Sequence, residues 1–179
     1  TITAMEGNII RYRIHDGYPD LRPEFLVHHP QFFDRESRNF KWDKTNWSQC
    51  RDNRMLGKRE GELEMVEIQN NLAVGDFVVL NYRPDSVIKI RNLSENIVFE
   101  NLTFYSSPGG GIFARRSAGL HEIRNVKMIR GATPAGAAEP RLLALGADGV
   151  NYATCRQGPL VENCEFAYLG DDSVNFHGS

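Results

Sequence analysis

A five-residue pattern written twice near the end of the chain constrains the fold more than any other feature of the sequence. Asp148-Gly149-Val150-Asn151-Tyr152 returns as Asp172-Ser173-Val174-Asn175-Phe176, a spacing of 24 (172 − 148). A repeat of that length is one supersecondary unit, which buries its apolar face only by stacking on its neighbours. Gly111-Ile112-Phe113-Ala114 fills the same slot upstream at a spacing of 38 (150 − 112), so one repeat carries an insertion. The run from Gly131 to Pro140, made largely of Gly, Ala and Pro, has the loop composition such an insertion needs.

A second ladder keeps the same register. Asn101, Asn125 and Asn163 are spaced 24 (125 − 101) and 38 (163 − 125) apart. Around them the columns Phe99/Ile123/Val161 and Leu102/Val126/Cys164 are apolar, while Glu100/Arg124/Glu162 and Thr103/Lys127/Glu165 are mostly charged. Apolar and polar columns alternate as strands with one buried face require, and opposite charges on neighbouring strands are modestly favourable. The apolar columns flanking the asparagines have the wrong parity for one straight strand, so the chain is expected to bend there with Asn stacked inside the bend. The expected fold is all-β: a right-handed, pectate-lyase-like parallel β-helix. An antiparallel sandwich would also alternate, but it would not repeat column by column at a constant spacing.

Residues 1–86 do not repeat. Asn8 to Ile14, Glu62 to Ile68 and Phe77 to Arg83 read as strands, with a turn cluster at His15 to Asp20, and this part is expected to be a small β-barrel or β-sandwich. The aromatic stretch from Phe25 to Trp47, with Phe32, Phe33, Phe40 and Trp42, is expected to pack in core or loops. Residues 87–179 are expected to be β-helix rungs, truncated at the C-terminal end because Ser179 falls partway round a rung and terminal repeats are normally atypical caps. The expected partner for that open end is the remainder of the β-helix in the same parent protein, or a second copy.

Composition enters by exclusion. A net charge of −2 offers no basic footprint for nucleic acid, and no apolar run approaches a membrane span. Cys50, Cys155 and Cys164 are too few and too irregular for a disulfide scaffold or zinc site. Cys164 falls in an apolar column and is expected to be a small buried hydrophobe.

The chemistry points to the aspartates. Asp148 and Asp172 share one slot of successive repeats and should be neighbours roughly 4.8 Å apart, with Asp171 beside them. Three carboxylates in one patch oppose each other's ionisation. Glycoside hydrolysis uses such a patch, needing one protonated acid and one ionised carboxylate. By strand parity Asn151, Asn175 and His177 face away from Val150, Val174 and Phe176, and can bond sugar hydroxyls. A bend at Gly170-Asp171 is required for Asp172 to face the same way.

Asp148-Gly149-Val150-Asn151-Tyr152, Val161 to Phe166, and Asp171-Asp172-Ser173-Val174-Asn175-Phe176-His177-Gly178 resemble the core of glycoside hydrolase family 110, β-helical exo-α-galactosidases. Gly110 to Arg116 is similar to a rung of that family and brings in Arg115 as a candidate substrate-binding residue. Gly75 to Arg83 is similar to the end of a β-barrel those enzymes carry. The resemblance, over about residues 75–179, implies cofactor-free hydrolysis of terminal α-1,3-linked galactose with inversion. It implies a water-activating role for Asp148 and Asp172. It gives Asp171 an acid or sugar-binding role, with the acid otherwise beyond Ser179. No metal is expected, and the partner is an oligosaccharide or polysaccharide met outside the cell or in the periplasm. The Asp then Gly-Asp-Asp pattern is also similar to the polygalacturonases of family 28, although Asp148 follows Leu145-Gly146-Ala147 rather than that family's Asn-Thr. A lyase of acidic polysaccharide and a non-catalytic carbohydrate-binding β-helix are the other readings.

Overall fold

A computed structural model describes residues 1–26, 29–41, 49–68 and 70–178. Among them the protein is all-β, with one short 3-10 turn at Pro23–Phe25 and no α-helix. It divides into two compact units, Thr1–Tyr82 with Thr133–Pro140, and Arg83–Ala132 with Arg141–Ser179.

The second unit is built from parallel sheets. Strands β7 (Ile88–Arg91), β10 (Ile112–Arg115), β13 (Val150–Ala153) and β16 (Val174–His177) lie side by side in that order. Their register, Ile88↔Ile112↔Val150↔Val174, is the repeat spacing of the sequence. A second sheet joins β8 (Val98–Glu100), β11 (Glu122–Arg124) and β14 (Leu160–Glu162). A third joins β9 (Thr103–Phe104), β12 (Lys127–Met128) and β15 (Glu165–Phe166). Strand alternation decides the faces: Ile112 and Ala114 are fully buried, as are Ile123, Val126 and Met128. Phe99, Leu102, Val161 and Cys164 pack against that core while remaining half-exposed.

The asparagine ladder sits at the bend between the second and third sheets. Asn101, Asn125 and Asn163 all adopt left-handed backbone conformations, with φ of 58°, 53° and 53°, a region Asn enters more readily than other side chains. Asn125 donates from Nδ2 to Asn101 Oδ1 at 3.3 Å. The three residues are exposed, so the ladder runs along the solvent side of the bend rather than inside it. The left-handed turn directs these side chains outward and leaves the interior to Leu102, Val126 and Cys164.

Outward charges pair across the repeats as their column signs suggest: Arg124 reaches Glu162 at 3.6 Å and Lys127 reaches Glu165 at 3.5 Å, while Arg124 also reaches Glu122 on its own strand at 2.7 Å.

The first unit holds a four-stranded antiparallel sheet, ordered β1 (Ile2–Glu6), β2 (Ile9–Arg13), β5 (Glu60–Met65), β4 (Cys50–Met55). Strands β3 (Gln31–Phe33) and β6 (Phe77–Val79) form a two-stranded antiparallel sheet. Ile2, Ile10, Tyr12, Phe32, Cys50, Leu63 and Met65 make its core. Buried Glu62 is held between Arg11, at 3.1 Å, and Arg54. Of the aromatic stretch, Phe32 and Phe33 are core residues, and Phe33 meets Phe40 edge-on; Trp42 and Trp47 lie outside the described residues. The loop 133–140, read from sequence as an interruption of one repeat, groups with this first unit. There Tyr18 Oη donates to the Glu139 carbonyl at 2.8 Å, and Arg38 pairs with the Glu139 carboxylate.

Candidate functional site

The carboxylate cluster forms where chain segments enter the first parallel sheet. Leu145 bridges Ser107 on one side and Leu169 on the other, in parallel, so residues 146–148 and 170–172 approach β13 and β16 along neighbouring paths. The Gly149 amide donates to the Asp172 carbonyl at 2.9 Å, and the Gly111 amide donates to the Asp148 carbonyl at 3.0 Å. These approaches need glycine: a Cβ on Gly111 would stand 2.3 Å from the Gly149 carbonyl oxygen, and one on Gly149 would stand 2.7 Å from that of Ser173. After Leu169 the chain bends at Gly170 and Asp171, where sequence parity required it, and the Gly170 amide donates to the Leu145 carbonyl at 2.8 Å.

Asp148, Asp171 and Asp172 thereby each offer a carboxylate oxygen within 4.8 Å of the others. Their environments differ. Asp148 is 5% exposed, whereas Asp171 is half-buried and Asp172 exposed. Burial raises the Asp148 pKa above the ordinary carboxylate range, and the charges of Asp171 and Asp172 push it the same way. The Asn151 amide, donating to Asp148 Oδ2 at 2.5 Å, and the charge of Arg83 oppose the rise. A buried carboxyl that binds its proton more readily than its more exposed neighbours is the asymmetry acid–base chemistry uses.

Asn151 is itself buried, at 8% exposure, and among the described residues its Oδ1 has no hydrogen-bond partner. A buried acceptor left unmade is unfavourable, and a ligand hydroxyl beside Asp148 would satisfy it. As metal donors, the three carboxylates could supply up to six of the six to eight oxygens that calcium takes, with waters for the rest.

Arg83 is the site residue that sequence reasoning missed. Its Nη1 donates to Asp171 Oδ2 at 2.9 Å and its Nη2 to the Gly170 carbonyl at 2.9 Å, so one guanidinium holds both the carboxylate and the bend that presents it. Read from sequence, Arg83 only closed an N-terminal strand, and 88 residues separate it from Asp171.

A cavity of about 400 Å³ opens beside the cluster, lined by Arg83, Lys89, Arg91, Phe113, Arg115, Asp148 and Asp171 among others. The candidate residue Arg115 is therefore in the same cavity as two of the aspartates. Asn175 and His177 are one strand further along the outer face, in register with Asn151 and Ala153, and do not line it.

The sequence matches no known protein-family model and no curated protein.

Proposed function

We propose that the second unit is a stretch of right-handed parallel β-helix and that the chain is a glycoside hydrolase removing terminal α-linked galactose, α-1,3-linked by its resemblance to family 110, with inversion. The observation that carries the reading is the cluster of Asp148, Asp171 and Asp172, with oxygens within 4.8 Å and the pKa of its most buried member, Asp148, raised by burial, the direction in which a carboxylate is tuned as a general base. Three in-register parallel sheets, stepped by the repeat spacing, support the β-helix.

The spacing of the carboxylates supports the water-activating side of the reaction for the cluster. An inverting enzyme separates acid and base by about 6.5–9.5 Å so that water fits between sugar and base. Members of this cluster are closer than that, so they act together as the water-activating side and the acid is a carboxyl outside the three. Asp148 and Asp172 hold the water between them. Asp171, bound by Arg83, orients the cluster instead of giving up a proton. The free Oδ1 of Asn151 takes a hydroxyl of the sugar.

Proton NMR of the protein acting on an α-1,3-galactosyl oligosaccharide tests this, with Asp172→Asn as control. Initial appearance of β-galactose, lost in the variant, is expected. Initial α-galactose would mean retention and would move both acid and nucleophile into the cluster. No release of galactose would overturn the substrate.

A further inference from the structure

The cavity carries a second charged feature that bond cleavage does not use. Arg91 and Arg115 are register partners on β7 and β10, so their backbones stand about 4.8 Å apart. Both side chains are exposed and both line the cavity with Asp148. Like charges directly opposite one another weaken a sheet. In the neighbouring sheets the strand cations face acids: Arg124 reaches Glu122 and Glu162, and Lys127 reaches Glu165. The next position in the Arg91–Arg115 column is Ala153, which offers no charge. The cavity's other cations are engaged, Arg83 with Asp171 and Lys89 with Asp85. Among the described residues neither Arg91 nor Arg115 has an ion-pair partner.

We infer that Arg91 and Arg115 form a subsite for an anionic substituent, a sulfate ester or a uronate carboxylate, on the glycan whose terminal sugar is presented to Asp148. The inference rests on the hydrolase reading for what sits at Asp148, but the subsite itself rests on the unpaired arginines. Two planar guanidinium groups side by side match the spread oxygens of an oxyanion, and paired guanidinium–oxyanion hydrogen bonds are among the stronger ones in proteins. Five residues of extended chain separate Arg115 from Gly110, whose neighbour Gly111 donates to the Asp148 carbonyl. Measured from Gly111 along β10, which is extended over Ile112–Arg115, the distance to Arg115 is about 13 Å, longer than one sugar ring, so the anion belongs to a neighbouring residue of the glycan and not to the sugar being released.

The test is calorimetric titration of the full chain carrying Asp172→Asn, which blocks turnover, with three α-galactosyl disaccharides: a neutral one, one sulfated on the second sugar and one with a uronate as the second sugar. Either anionic disaccharide is expected to bind about tenfold tighter than the neutral one, and the better of the two names the substituent. The advantage is expected to shrink as salt rises past roughly 0.1 M. It is expected to fall below about twofold in Arg91→Gln/Arg115→Gln, and to be partly kept in Arg91→Lys/Arg115→Lys, which keeps charge without the fork. Equal binding of all three, or an anionic preference that survives the double Gln change, overturns the subsite. The wild-type NMR assay separates this from the hydrolase reading. Galactose release without anionic preference removes only the subsite, whereas anionic preference without galactose release removes only the hydrolase.

Discussion

Asn151 donates from Nδ2 to Asp148 Oδ2 at 2.5 Å, and both residues are buried. The bond stabilises the ionised form of a carboxylate that burial and the charges of Asp171 and Asp172 hold above the ordinary range. Asn151→Ala removes that support, so the Asp148 pKa rises further. If ionised Asp148 helps activate water, the acid limb of the pH–rate profile for galactoside hydrolysis moves to higher pH. Below the limb, kcat/KM falls by about ten- to hundredfold, the effect of losing one hydrogen bond to a charged group. An unmoved acid limb in a folded Asn151→Ala protein would take Asp148 ionisation out of the reaction.

The same carboxylate leaves a mark on stability, with a definite sign. The folded protein binds the Asp148 proton more tightly than the unfolded chain does, whose Asp titrates near 3.9, roughly its model-peptide value. Stability is therefore unaffected by this group below that pH, falls as pH rises toward the raised folded pKa, and stays reduced above it. Asp148→Asn removes the fall and keeps an oxygen for the Asn151 amide. At pH 7 the variant is expected to melt about 2–4 °C higher for each 1 kcal/mol of relief, to match wild type near pH 3, and to be inactive. A lower melting temperature at pH 7 would mean that ionised Asp148 stabilises the fold through its partners.

The sequence made the site's slots legible because a register-locked repeat writes the same residue types at the same position. The Asp148/Asp172 slot and the Asn101/Asn125/Asn163 corner were visible for that reason. A second left-handed corner follows the first parallel sheet at Asn92, Arg116 and Thr154, with φ of 57°, 55° and 56°. It keeps the same spacing but was invisible, since three unrelated side chains occupy one backbone conformation. Arg83 was missed because its partner is distant in sequence and it lies outside the repeat. Strand β4 was missed because its inward positions include Asn53, buried to accept the Tyr12 hydroxyl at 3.0 Å, so no apolar alternation marks it.

The asparagine corner makes its own prediction. Asn125 has φ of 53° and bonds Asn101. Asn125→Gly loses the side-chain bond but relieves the left-handed backbone, so its effect on stability is expected to stay within about 1 kcal/mol. Asn125→Val places a β-branched side chain in the same conformation and is expected to destabilise by about 1–3 kcal/mol. Urea denaturation of the two variants measures the difference. Equal midpoints would show that the corner's backbone conformation does not select its residue.

Arg83 separates activity from stability. Its guanidinium spans Asp171 Oδ2 and the Gly170 carbonyl, each at 2.9 Å, while the ion-pair side chains remain 30% and 27% exposed. An exposed ion pair of this kind contributes about 0–1 kcal/mol to folding. Its geometric effect is larger, because the bend at Gly170 aims both Asp171 and Asp172 at Asp148. Arg83→Lys keeps the charge, but a single ammonium on a flexible stem does not reproduce the rigid fork that holds the carboxylate and the carbonyl together. A misplacement of about 1 Å in a catalytic group costs on the order of a hundredfold in rate. Arg83→Lys is therefore expected to keep the wild-type melting temperature within about 4 °C while kcat falls by about ten- to hundredfold and KM changes little. Arg83→Ala is expected to lose more activity than Arg83→Lys. Wild-type kcat in a folded Arg83→Ala protein would show that the bend at Gly170 holds its shape without the guanidinium, and that the carboxylates are aimed by the backbone alone.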